Sequence, residues 1–165
     1  MNSILKNITD TKNIERMRKE VEKKFNIKGV PMGETLEGAK KRKLDSVDSW
    51  TASKITNGMI SECTGYPVLY DTDRDTQYKL GLALGLVNAG VLQQEYPHGF
   101  PVRGYKQIEP GVFEKEKSEH CFTAVAVIQW NAEFGEHLKK CTAEGWEKQA
   151  EINACTTIEE LDKVF

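Results

Sequence analysis

The sequence predicts one α+β domain, a small mixed or antiparallel sheet covered by about five helices. Three observations carry that class. The chain has 165 residues, the size of one ordinary domain, and its 39% hydrophobic and 29% charged content is that of a folded globular protein. Segment 121–130, "CFTAVAVIQW", bears apolar residues on both faces of an extended chain, which predicts the central, covered strand of the sheet. Helical and strand patterns are grouped along the chain more than they alternate, which disfavours a parallel α/β arrangement. No internal repeat divides the chain, so the domain is expected to span residues 1–165.

Each element has its own signal. Asp10 or Thr11 caps a helix to Phe25, with Ile14, Met17, Val21 and Phe25 at helical spacing. "NIKGVPMGETLEGAKKRKLD" is rich in glycine and lysine and reads as a long loop with room for one helical turn. Asp45 or Ser46 opens a second helix marked by Val47, Trp50, Ile55, Met59 and Cys63, stopped at Gly65-Tyr66-Pro67. "PVLY" is a short buried strand. "DTDRDT" caps a helix from Thr76 to Gln93 that is apolar almost all round, so Leu82 and Leu86, with Val127 of the strand, are expected to be buried. "EYPHGFPVRGY" reads as an irregular loop, and "YKQIEPGVFEKE" as a hairpin with Pro110-Gly111 in the middle of a type II turn. After the 121–130 strand, Asn131 caps a helix striped with Phe134, Leu138, Cys141, Trp146 and Ala150. Thr156 with Glu159 forms a capping box for a last short helix.

Composition removes several function classes. The longest nearly apolar run, Leu80 to Leu92, falls short of the roughly 20 residues that span a bilayer, and the first residues lack the apolar core of a signal peptide. A cytoplasmic protein with no membrane partner is expected. Net charge is −2, and Arg16, Arg18, Arg42, Arg74 and Arg103 are the whole arginine set, which disfavours sequence-specific binding of nucleic acid. Cys63, Cys121, Cys141 and Cys155 contain no C-x-x-C and read as buried, unpaired core thiols.

Three stretches are candidate sites. "SEHCFTAVAVIQWNAEFGEHLKKC" holds His120, Cys121, His137 and Cys141. His137 and Cys141 share a helix face and can offer two zinc ligands, but His120 and Cys121 point oppositely on a strand, so the core reading is preferred and no metal or other cofactor is expected. "VLYDTDRDT" places Asp71, Asp73 and Asp75 after a strand. Asp71 and Asp73 are the weak metal candidates, against which stands capping of the next helix. "EYPHGFPVRGY" gathers Tyr96, His98, Phe100, Arg103 and Tyr105, a mix that can stack on a base and hold a phosphate. These five are the preferred ligand-binding residues, with Arg103 as the charged anchor. "AKKRK" (39–43) is a basic cluster partly neutralised by Glu34, Glu37 and Asp45.

The N-terminal block "MNSILKNITDTKNIERMRKEVEKKF…GVPMGETLEGAKKRKLDSVDSW" resembles a family of small T-even bacteriophage early proteins encoded near the phage DNA ligase gene. The resemblance implies a host-takeover or counter-defence setting in the bacterial cytoplasm and carries over no catalytic residue. The functional expectation is a noncatalytic binding or host-interaction module that engages a host protein or a small anionic ligand, with a homo-oligomer open to it. The alternative is a small metal-assisted enzyme acting on a nucleotide or another phosphorylated substrate.

Overall fold

The computed structural model describes residues 34–164, so the helix expected over 11–25 lies outside the described residues. The elements are α1 (Leu36–Thr56), β1 (Met59–Ser61), β2 (Val68–Tyr70), α2 (Arg74–Asn88), α3 (Leu92–Glu95), β3 (Phe100–Glu109), β4 (Val112–Phe113), β5 (Ser118–Phe122), α4 (Ala124–Ala154) and α5 (Ile158–Val164). This is an α+β fold whose one sheet is antiparallel throughout.

The central strand is β3, not 121–130. Gly104 pairs with Tyr70 of β2 on one edge and with Ser118 of β5 on the other. The segment expected as the strand splits at Thr123, whose Oγ1 accepts from Ala126 N at 3.2 Å and caps α4. The apolar residues beyond that cap follow the helical period instead. Ala126, Val127 and Trp130 turn inward, while Val125 and Ile128 are exposed. Asn131 is therefore inside a helix rather than capping one. Its Nδ2 donates to Val127 O at 2.8 Å and to Leu80 O at 3.3 Å, joining α4 to α2.

Other boundaries move for local reasons. Thr35 Oγ1 accepts from Gly38 N at 3.1 Å, which starts α1 ten residues before the expected cap and makes "LEGAKKRKLD" helical. The segment expected as a loop from Tyr96 to Tyr105 becomes strand β3 from Phe100 onward. α2 is amphipathic rather than apolar all round: Leu80 and Ala83 are buried and Leu86 is half-buried, but Leu82 is 52% exposed. The final capping box sits one residue later than expected, with Glu160 N donating to Thr157 Oγ1 and Thr156 N donating back to Glu160 Oε2. The hairpin over Pro110-Gly111 forms as expected, Gly111 taking a φ of 79° that suits glycine in that turn position.

Among the described residues, two apolar clusters hold the fold. One packs the inner face of the sheet, through Val68, Tyr70, Phe100, Val102 and Phe122, against α2 and the start of α4 at Val127 and Trp130. The second joins Ala39 and Val47 of α1 to Ile152, Cys155 and Leu161. Helix α4, 31 residues and so about 46 Å long, runs through both. Each large side chain fully withdrawn from water adds roughly 1.5–3 kcal/mol. All four cysteines are free, yet only Cys141 and Cys155 are buried; Cys63 is half-buried and Cys121 is exposed. No helix among the described residues is long and apolar enough to cross a membrane.

Candidate functional site

The strand β2 leaves the sheet early, and that departure makes the site. Its pairing with β3 ends at Tyr70 opposite Gly104, because Thr72 turns away: Thr72 Oγ1 donates to Ile55 O at 2.5 Å and accepts from Gly58 N at 2.9 Å. On that edge, Phe100 to Arg103 of β3 meet no strand among the described residues. In place of a strand lies a cleft of about 400 Å³, floored by Phe100–Arg103 and walled by Asp71, Asp73, Asp75, Thr76, Lys79 and Leu80 on one side and Lys117 and Glu119 on the other.

This cleft merges two stretches that are separate in the sequence. Asp71 and Asp73 share it with Phe100 and Arg103, whereas Tyr96, His98 and Tyr105 do not line it. Tyr96 ends α3 with its ring 4.9 Å from that of Phe100, against the core. His98 is exposed in the turn before β3. Tyr105 lies half-buried beneath Lys117, whose Nζ is 5.2 Å from the ring centroid. Of the five residues of the expected binding loop, only Phe100 and Arg103 reach the cleft.

Most of the charges in the cleft already have partners. Asp71 Oδ2 accepts from Lys117 Nζ at 2.5 Å, and that bond holds the Lys117 ammonium above its usual pKa range. Asp73 caps α2, accepting from Thr76 N at 2.8 Å, and these hydrogen bonds hold its carboxyl below the usual aspartate range. Asp75 pairs with Lys79 at 2.5 Å, one helical turn on. Arg103 differs from these. It is exposed, its Nη2 donates to the Lys117 carbonyl at 3.1 Å, and Glu119 stands opposite it across the β3–β5 ladder. Lys79, Lys117 and Glu119 went unnoticed in the sequence. The Asp75–Lys79 spacing of four was the local signal that pointed to one of them.

The histidine and cysteine stretch disperses. His137 Nε2 lies 3.2 Å from Lys54 O, and a carbonyl only accepts, so Nε2 carries the proton; Cys141 Sγ sits 3.7 Å from the same nitrogen at the α1–α4 contact. His120 points inward and Cys121 outward from β5. Among the described residues, no group of three or more potential ligands gathers to hold a metal. Buried His120 anchors a partly buried network: its Nδ1 lies 3.1 Å from Tyr66 Oη and its Nε2 3.3 Å from Ser118 Oγ, with the Tyr70 ring edge-on beside it. The basic cluster lies on α1, where Arg42 forks onto Glu34 through bonds of 3.0 and 3.2 Å and Lys40 donates to Asn153 O at 2.7 Å.

No family model matches the chain, and comparison with the curated proteins and with the solved structures finds no match either.

Proposed function

We propose that this protein is a noncatalytic binding module, acting in the cytoplasm of a phage-infected bacterium as the resemblance implies, and that it binds through the cleft at the open edge of β3. The supporting observation is the state of the charges. Asp71, Asp73 and Asp75 are answered by Lys117, the Thr76 N–H and Lys79, while Arg103 faces the cleft with one backbone carbonyl as its partner among the described residues. A guanidinium in that position takes one carboxylate or phosphate monoester in a fork. A polyphosphate is a poor fit beside four carboxylates. The anionic group belongs to a small molecule or to the surface of a host protein; the chemistry at Arg103 is the same.

The second reading, a metal-assisted enzyme on a phosphorylated substrate, draws on Asp71 and Asp73 standing in the same cleft as Arg103. It requires both to exchange their present partners for the metal.

A thermal-shift series separates the two. Inorganic phosphate, nucleoside monophosphates and glutamate are titrated with and without Mg²⁺, since a ligand of the native state at a hundredfold its Kd adds about 2.7 kcal/mol of stability. The binding reading expects a metal-independent shift that disappears in Arg103→Ala. An equal shift in that variant sinks it. A shift that needs Mg²⁺ and vanishes in Asp71→Asn transfers the site to the second reading.

A further inference from the structure

We infer that the cleft recognises an extended acidic peptide of a partner protein by adding it as a strand to the open edge of β3. The inference rests on the reading of the cleft as a binding site and names its ligand class. It starts from the direction of the backbone. Gln107 N donates to Pro67 O toward β2, and Lys106 O accepts from Glu114 N on the opposite side. Along an antiparallel strand these directions alternate. The N–H of Arg103 and the C=O of Pro101 therefore point to the β2 side, into the space β2 vacates after Tyr70. Those two groups flank Val102 and are what one antiparallel bridge to an incoming residue needs.

Proline fits this arrangement. Pro101 lacks an N–H, which excludes it from the middle of a fully paired strand, but its nitrogen also points to the open edge, where the bridge uses its carbonyl alone. A longer ladder is blocked, so the edge takes one short segment rather than a sheet.

Side-chain alternation then fixes the peptide. The residue opposite Val102 turns to the inner face, beside Phe100 and Leu80, and an apolar side chain suits it. The residue opposite Arg103 turns outward with it, where a glutamate or aspartate meets the guanidinium. Backbone pairing supplies affinity that does not depend on net charge, which suits a wall where Asp71, Asp73, Asp75 and Glu119 repel a free polyanion.

The experiment uses the full chain and an N-acetylated, C-amidated pentapeptide of alternating valine and glutamate, followed by isothermal titration calorimetry and amide hydrogen exchange. Binding should slow exchange at the Arg103 amide, which should exchange fast in the free protein. N-methylation of the one peptide nitrogen that donates to the Pro101 carbonyl should weaken binding by up to about tenfold, the loss of one hydrogen bond, while the bond from the Arg103 amide to the peptide carbonyl is kept. Replacing glutamate by lysine, or Arg103 by Ala, should weaken it separately. Equal binding of the N-methylated peptide, or binding of glutamate and phosphate but not of the peptide, overturns strand addition and leaves the cleft as an anion site. No binding by any of these probes removes both. An Arg103 amide already protected in the free protein shows the edge occupied, by a second copy where protection rises with concentration and by the chain itself where it does not, and either result overturns the inference.

Discussion

The two halves of β3 are built on different terms. From Gly104 to Lys106 the strand has β2 on one edge and, on the other, β5 at Gly104 and the Glu114 amide at Lys106, and its inner side meets Tyr70, Val68 and the His120 network. From Phe100 to Arg103 it has, among the described residues, β5 alone, and its other edge opens into charges held by ion pairs. The sealed half depends on shape: Tyr70 meets Phe122 edge to face at 5.2 Å, and both are fully buried. The open half keeps Phe100 and Val102 in the same core, but its free edge is lined by charges at partly exposed positions, where each pair is worth little in water. One strand thus carries a rigid anchor and, three residues away, a surface free to exchange partners. Substitutions should divide along that line.

The largest effect belongs to the sealed half. Tyr70→Ala, opposite Gly104, leaves a cavity beside Phe122 and His120 and should cost about 4 kcal/mol in urea unfolding, with the slope unchanged. A cost below about 1 kcal/mol would dissolve the contrast. Gly104→Ala follows. A Cβ built there would lie 2.5 Å from Val68 Cγ1 and 2.9 Å from Tyr70 Cδ1, both on side chains that are themselves fully buried. Overpacking of that kind should cost about 2 kcal/mol, read by calorimetry. A neutral result would mean that β2 can move away, and that the two halves of the strand are equally loose.

The sealed half was also the more legible in sequence, because its signals are local. "PVLY" and the Pro110-Gly111 hairpin are runs and turns whose meaning does not depend on distant residues. The helix after "DTDRDT" was legible for the same reason: Asp73 caps it within three residues. Segment 121–130 was misread because alternation and the helical period agree over so short an apolar run. The arbiter lies downstream, where Trp130 and Phe134 stack at a spacing of four and Cys141 follows at the next turns. Pro97, Gly99 and Pro101 made the start of β3 look like a loop; Pro101 is tolerated because β2 leaves that edge bare. Nothing local announced that departure. The cleft joins residues 71, 103 and 117, and neither period nor propensity links positions so far apart, so Tyr96, His98 and Tyr105 were grouped with Arg103 by nearness in sequence alone.

A smaller effect is expected where the cleft meets α2. Asp73→Ala removes the cap on Thr76 and should cost about 1 kcal/mol. The carboxyl is held below the usual aspartate value near 3.8, so its contribution is present above that value and is lost as pH falls through the lower folded one. Asp73→Asn keeps a capping oxygen but no titration. Its stability should fall less steeply than that of the wild type over the same acid range, as followed by circular dichroism at fixed urea. Parallel curves would show that the cap is not what ties the open half to α2.

Arg103→Ala should change stability least. The side chain is exposed, and the bond it loses is one to the Lys117 carbonyl, so the change should stay within about half a kcal/mol. Its effect belongs to binding: the thermal shift caused by a carboxylate or phosphate ligand should disappear. Arg42→Ala is the matched comparison, since Arg42 is also exposed and also engaged, in its case by a fork onto Glu34 far from the cleft. That variant should be as mild in stability and should leave the ligand-induced shift intact. Equal loss of the shift in both would trace it to general charge rather than to the cleft. If Arg103→Ala instead costs more than about 2 kcal/mol, Arg103 is part of what holds β3 to β5, and the division between an anchored and an exchangeable half of the strand fails.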